Sequence, residues 1–132
     1  MGHEEIINYW LETAEEDFDT MIALYENRRF PASLFFGHLV LEKLLKGIYA
    51  KQNPKNPTAL KTHNLLLLAK KCNLSLEEKI EKQMDIISGF NMDARYDDLK
   101  REFNKLCTKE FTSEWIANIK ELREWLKKLI TK

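Results

Sequence analysis

Turn-forming residues are the first thing this sequence is short of. Four glycines and three prolines in 132 positions leave too few breaks for an all-β sandwich or barrel, which needs a turn every ~8–12 residues. Helices are the default. Cysteine is nearly absent: Cys72 and Cys107 lie among charged neighbours with no second Cys or His at ligand spacing, which argues against a disulfide framework or a zinc site. No metal and no cofactor are expected, and both thiols read as reduced, in a cytoplasmic protein. Long apolar runs are missing too. The longest, Leu65 to Ala69, falls far short of the ~20 residues that cross a bilayer, so no membrane partner is expected. The N-terminal MGHEEIINYW has neither the basic region nor the apolar stretch of a secretory signal. Nor is there an excess of one charge, with 21 basic and 21 acidic residues, so the whole chain is not marked as a polyanion binder.

What is present is helical periodicity. Ile6, Ile7, Trp10, Ala14, Phe18, Met21, Ile22 and Tyr25 recur at the three- and four-residue spacing of one helical face, predicting a first helix of about 22 residues. Arg28-Arg29 suits its last turn, a hairpin turn falls near Asn27 to Phe30, and Pro31 opens a second helix running to about Lys51. That second helix is apolar in nearly every direction, so it is the central element. Asn53-Pro54 and Asn56-Pro57 make 53–61 a loop. Thr62 is placed as the cap of a short third helix over Leu65 to Lys71. Ser75-Leu76-Glu77-Glu78 reads as a capping box for a fourth helix ending near Phe90. Leu99, Phe103 and Leu106 suggest a short fifth segment, and Thr112 or Ser113 caps a final helix with Trp115, Ile116, Ile119, Leu122, Leu126, Leu129 and Ile130 as its stripe. The fold class is all-α, an up-and-down antiparallel bundle in one domain over residues 1–132.

The zero net charge hides a split. Residues 1–27 hold eight acids and no Lys or Arg, whereas residues 28–71 hold nine Lys and Arg against the single acid Glu42. Either the second helix and its loop form a basic patch, or the acidic first helix neutralises the basic second across their seam. Asp17 falls within the first helix's apolar stripe and needs a partner; Lys46, Arg95 and Tyr96 are the candidates. His38, Glu42 and Lys46 recur every four residues on the second helix, a polar line that either ties helices together or holds a nucleotide phosphate on Lys46. His63, after the loop, reads as a cap or packed polar residue or as a site residue. No Gly-rich phosphate loop and no Ser/His/Asp or Cys/His arrangement is evident.

Four segments then line up in one order: Tyr9-Trp10 with Ala14 and Asp17; Phe36 followed by Glu42-Lys43-Leu44-Leu45-Lys46; Thr62-His63-Asn64-Leu65; and Ala94-Arg95-Tyr96-Asp97. Together they resemble the HEPN family, the higher-eukaryote and prokaryote nucleotide-binding domain, over most of the chain. The resemblance implies a bundle of about five helices that forms homodimers. It also implies nucleotide or RNA handling beside a small nucleotidyltransferase in a toxin–antitoxin-like arrangement. Active HEPN ribonucleases carry Arg, four to six residues, then His. Here Arg95 has no histidine after it and eight residues separate Arg29 from His38. The ribonuclease reading is therefore the weakest, behind a non-catalytic nucleotide- or RNA-binding module and a ligand-free homodimeric interaction module. The resemblance puts Lys46, Arg95, Tyr96, His63 and Lys43 at a nucleotide site, with Lys46, Arg95 and Tyr96 converging on one phosphate. Asp17, Glu42 and His38 make a structural polar network.

Overall fold

The computed structural model describes residues 2–58 and 61–131. Helix α1 (His3–Glu26) buries Ile7, Ala14 and Met21 along the expected stripe. It stops where Arg28 turns into the left-handed region at φ 61. The Arg29 N–H then donates back to the Leu24 carbonyl at 2.8 Å and the Arg28 N–H to Tyr25 at 3.0 Å, a wrapped termination that usually selects glycine. Arg28 and Arg29 thus lie just beyond the last turn rather than in it.

Helix α2 (Phe30–Gln52) has Pro31 in its first turn, where a missing N–H costs nothing. It touches every other helix, and Leu34, Val40, Leu41, Leu44, Leu45 and Ile48 are all buried. Four shorter or later helices follow: α3 (Leu65–Lys71), α4 (Glu78–Asp93), α5 (Asp97–Leu106) and α6 (Lys109–Thr131). Side-chain pairings fix their directions. Tyr25 bonds Ser113 while Glu15 bonds Arg123, so α6 runs against α1. The Phe90 ring meets Trp115 and the Gln83 amide meets Asn118, so α4 runs against α6. The four longer helices alternate up and down, with α3 and α5 as short links. The all-α bundle is as expected, with six helices among the described residues where the resemblance implied about five.

Three predicted caps are corrected. Asn64, not Thr62, caps α3, its Oδ1 accepting the Leu67 N–H at 3.1 Å; Thr62 Oγ1 accepts the Asn64 N–H instead. Ser75 does not start α4. The first helical acceptor is the Glu77 carbonyl, bonded by Glu81 N–H at 3.0 Å, because Leu74 and Leu76 hold the preceding segment against the core. Thr108 begins α6, accepting the Phe111 N–H at 3.2 Å, while Thr112 is buried inside the helix with its hydroxyl donated to the Thr108 carbonyl. Phe111 packs on Phe90 and Trp115, which draws the helix start forward. The predicted 53–61 loop holds over its described part, 53–58 and 61; residues 59 and 60 lie outside the described residues. No described helix is long and apolar enough to cross a membrane.

Candidate functional site

The polar line on α2 becomes a cluster once α3 is packed beside it. Glu42, almost fully buried, accepts from Lys46 Nζ at 2.9 Å and from His63 Nδ1 at 2.8 Å. Burial pushes its carboxyl up, and the hydrogen bonds from Lys46 and His63 overcome that, leaving it below the ordinary glutamate range. His38 is fully buried, and burial holds its imidazole below the ordinary histidine range against the pull of the His63 carbonyl and Glu42. It is therefore neutral at pH 7, with Nε2–H donated to the His63 carbonyl at 2.9 Å and Nδ1 buried without a partner. Lys46 also lies 5.5 Å from the centroid of the Trp10 ring, where a cation is attracted to the ring face. His38, Glu42, Lys46 and His63 tie α1, α2 and the start of α3 together.

Asp17 belongs to a separate pair. Its carboxylate is 2.6 Å from Lys43 Nζ across the α1–α2 seam, with the two side chains 13% and 23% exposed. None of Lys46, Arg95 and Tyr96 fills that role. Glu15, also on the first helix, faces α6: Arg123 holds it through two bonds of 2.8 Å, with Lys127 at 3.2 Å. Asp17–Lys43 is thus a direct ion pair across the α1–α2 seam. Arg123 also stacks 3.8 Å from the Phe18 ring centroid and is an anchor that sequence reading passed over.

Arg95 and Tyr96 lie elsewhere. Arg95 lines a cleft of about 270 Å³ with Pro31, Ala32 and Phe35 of α2, Ala94, and Lys100 and Asn104 of α5. Phe35 and Lys46 are eleven residues apart on one helix, roughly 16 Å along its axis at ~1.5 Å per residue. Lys46 is thus not brought to Arg95 and Tyr96, and the single phosphate position drawn from sequence is not formed. The cation beside Arg95 is Lys100, which nothing in the sequence singled out. The Arg95 and Tyr96 side chains have no partner among the described residues, and Lys100 makes only a long, exposed contact of 3.9 Å with Asp97. No acid lines this cleft. Arg28 and Arg29, both exposed, immediately precede α2 at the same end of the bundle.

The buried thiols are inert. Burial pushes both Cys72 and Cys107 up to about 12, and Cys72 donates to the Leu45 carbonyl. The described residues hold no group of three His, Cys, Asp or Glu side chains able to bind a metal ion.

An alternating bundle with its polar cluster on the second helix and the Ala94-Arg95-Tyr96 segment at the end of the fourth defines a class, and a family comparison agrees. The family model described as HEPN domain matches residues 7–129. The chain belongs to the HEPN domain family. No curated protein and no solved structure matches it.

Proposed function

We propose that this HEPN-domain protein is a non-catalytic module of the cytoplasm that binds a nucleotide or an RNA end. In this reading the phosphate sits between Arg95 and Lys100 and the base lies over Phe35 and Pro31. The observation that carries it is the cleft at the start of α2: two cations without buried acid partners stand over an apolar floor of Pro31, Ala32, Phe35 and Ala94. Guanidinium and ammonium groups supply phosphate contacts, and an aromatic ring supplies a stacking face. The volume of about 270 Å³ lies just below the ~300–1,000 Å³ of ligand pockets, so the open cleft takes the end of a nucleotide, with the rest of the ligand outside it. Lys46, Lys43 and the half-exposed His63 then hold the bundle together through Glu42 and Asp17. The partner in this reading is a small nucleotidyltransferase in a toxin–antitoxin-like pair.

A second reading, a homodimeric interaction module, is favoured by α5. Only Phe103 of this helix is buried, while Leu99, Leu106 and the neighbouring Tyr96 and Met92 are 39–54% exposed. Exposed apolar side chains in such number along one stretch of a small protein invite a partner surface.

The test is titration with adenosine monophosphate and with a 5′-phosphorylated tetraribonucleotide. Saturable binding weakened at least tenfold in both Arg95→Ala and Lys100→Ala, each with an unchanged melting curve, supports the nucleotide reading. Binding that neither substitution alters overturns it and leaves the interaction module.

A further inference from the structure

A second cleft, of about 280 Å³, opens between the start of α3 and the outer face of α4, lined by His63, Asn64, Asp85, Ser88, Gly89, Asn91 and Met92. We propose that it is a base-reading pocket for a guanine-type edge, a pair of N–H donors beside a carbonyl, independent of any phosphate. The starting point is Asn91. The residue is 93% buried, its side chain makes no hydrogen bond among the described residues, and the exposure it keeps opens on this cleft. The amide therefore meets solvent through this cleft, with both its N–H donors and its carbonyl free for a ligand there.

The other polar groups have their internal duties already filled on one side. Asn64 Oδ1 accepts the Leu67 N–H, Ser88 Oγ accepts the Leu65 N–H at 2.9 Å, and His63 Nδ1 donates to Glu42. What each has left is the Asn64 amide N–H groups, the Ser88 hydroxyl proton, and His63 Nε2. Asp85 adds a carboxylate with no partner among the described residues. No cation lines the cleft, so a phosphate meets only a negative charge there. The set suits a neutral ligand that gives two N–H groups to one carboxylate and takes N–H and O–H donors on its own carbonyl and ring nitrogen. Guanine's edge has that pattern; the adenine and pyrimidine edges do not present two adjacent N–H groups beside a carbonyl. Met92, 53% exposed at the rim, and the His63 ring offer faces for the base plane.

Gly89 makes the room. A Cβ built there meets nothing closer than Asp93 Oδ2 at 3.9 Å, so no neighbour inside the chain requires glycine in the middle of α4, where it weakens the helix. Its contrast is with Gly37 and Gly47, whose missing Cβ atoms admit Ile119 and Ile130. A larger side chain at Gly89 fills the cleft without disturbing the core.

The experiment uses guanosine, which has no phosphate, against adenosine, cytidine and uridine, followed by amide chemical shifts of the full chain. Guanosine is expected to saturate, to move the amides of residues 63–64 and 85–92, and to bind at least tenfold tighter than adenosine. Asp85→Asn weakens it at least tenfold. Gly89→Leu abolishes it while melting no lower than wild type, which keeps the test decisive even if Asn91→Ala fails to fold. Equal binding of adenosine, no guanosine binding at millimolar concentration, or full binding by Gly89→Leu overturns the proposal. Failure here leaves the Arg95–Lys100 site standing, because that site is read out by phosphate-bearing probes.

Discussion

A charged residue inside an apolar stripe is the most informative single position in this chain. Asp17 was legible that way, since its angle on α1 required a partner, although the partner is Lys43 and not the more distant candidates. The same logic applied to α6 finds Arg123, four residues after Ile119 in the stripe and bound to Glu15. Asp17→Ala strands a Lys43 ammonium that is mostly buried, and a loss of about 1–3 kcal/mol in denaturant melts is expected; an unchanged midpoint contradicts the pairing. His38 and Glu42 make stability depend on pH. His38 titrates lower in the fold than in the unfolded chain, so the fold binds fewer protons below ~6.5 and loses stability as pH falls. Glu42, also lowered, adds its loss below ~4.3. Thermal melts from pH 7 to pH 5 should show a falling Tm in the wild type and a flatter profile in His38→Gln. His63 was legible as a polar residue at the start of α3, whereas its bond to Glu42 depends on how α3 packs, and spacing along the chain does not encode that.

At the level of elements, periodicity located the helices, and their ends were harder to read. Ser75, Thr62 and Thr112 all have good capping chemistry, yet Leu76 and Phe111 decide where α4 and α6 begin by what they bury. Local propensity is overruled by packing at such ends. Glycines divide in the same way. A Cβ on Gly47 meets Ile130 Cδ1 and comes within 3.2 Å of Trp10, and one on Gly37 comes within 2.5 Å of Ile119 Cδ1. Gly47→Ala is expected to cost about 1–3 kcal/mol through overpacking. Gly89→Ala, facing open space, is expected to gain about 0.5–1 kcal/mol from helix propensity. Urea melts of the two variants check both signs together, and destabilisation by Gly89→Ala contradicts the open cleft.

On the scale of the whole molecule, the split in charge does not resolve into one neutral seam or one basic face. Lys43 and Lys46 are consumed by Asp17 and Glu42, while Arg28, Arg29, Arg95 and Lys100 gather where α2 begins. Fold class and central helix were evident from the sequence; the joining of Arg95 to Lys100 and Phe35 was not, because it depends on how the α4–α5 corner folds over the start of α2. The exposed residues of α5 lead to an expected two-fold dimer, and sedimentation at micromolar concentration should give about twice the 15.7 kDa chain mass. A monomer there removes the support for the interaction surface. The most direct measurement of the central claim is the salt dependence of binding to a 5′-phosphorylated tetraribonucleotide. The wild type should lose affinity linearly in log salt, and Arg95→Ala should bind more weakly with a slope shallower by about 0.7, one phosphate contact on a single strand. A slope identical in the wild type and Arg95→Ala contradicts the assignment of this cleft to a phosphate.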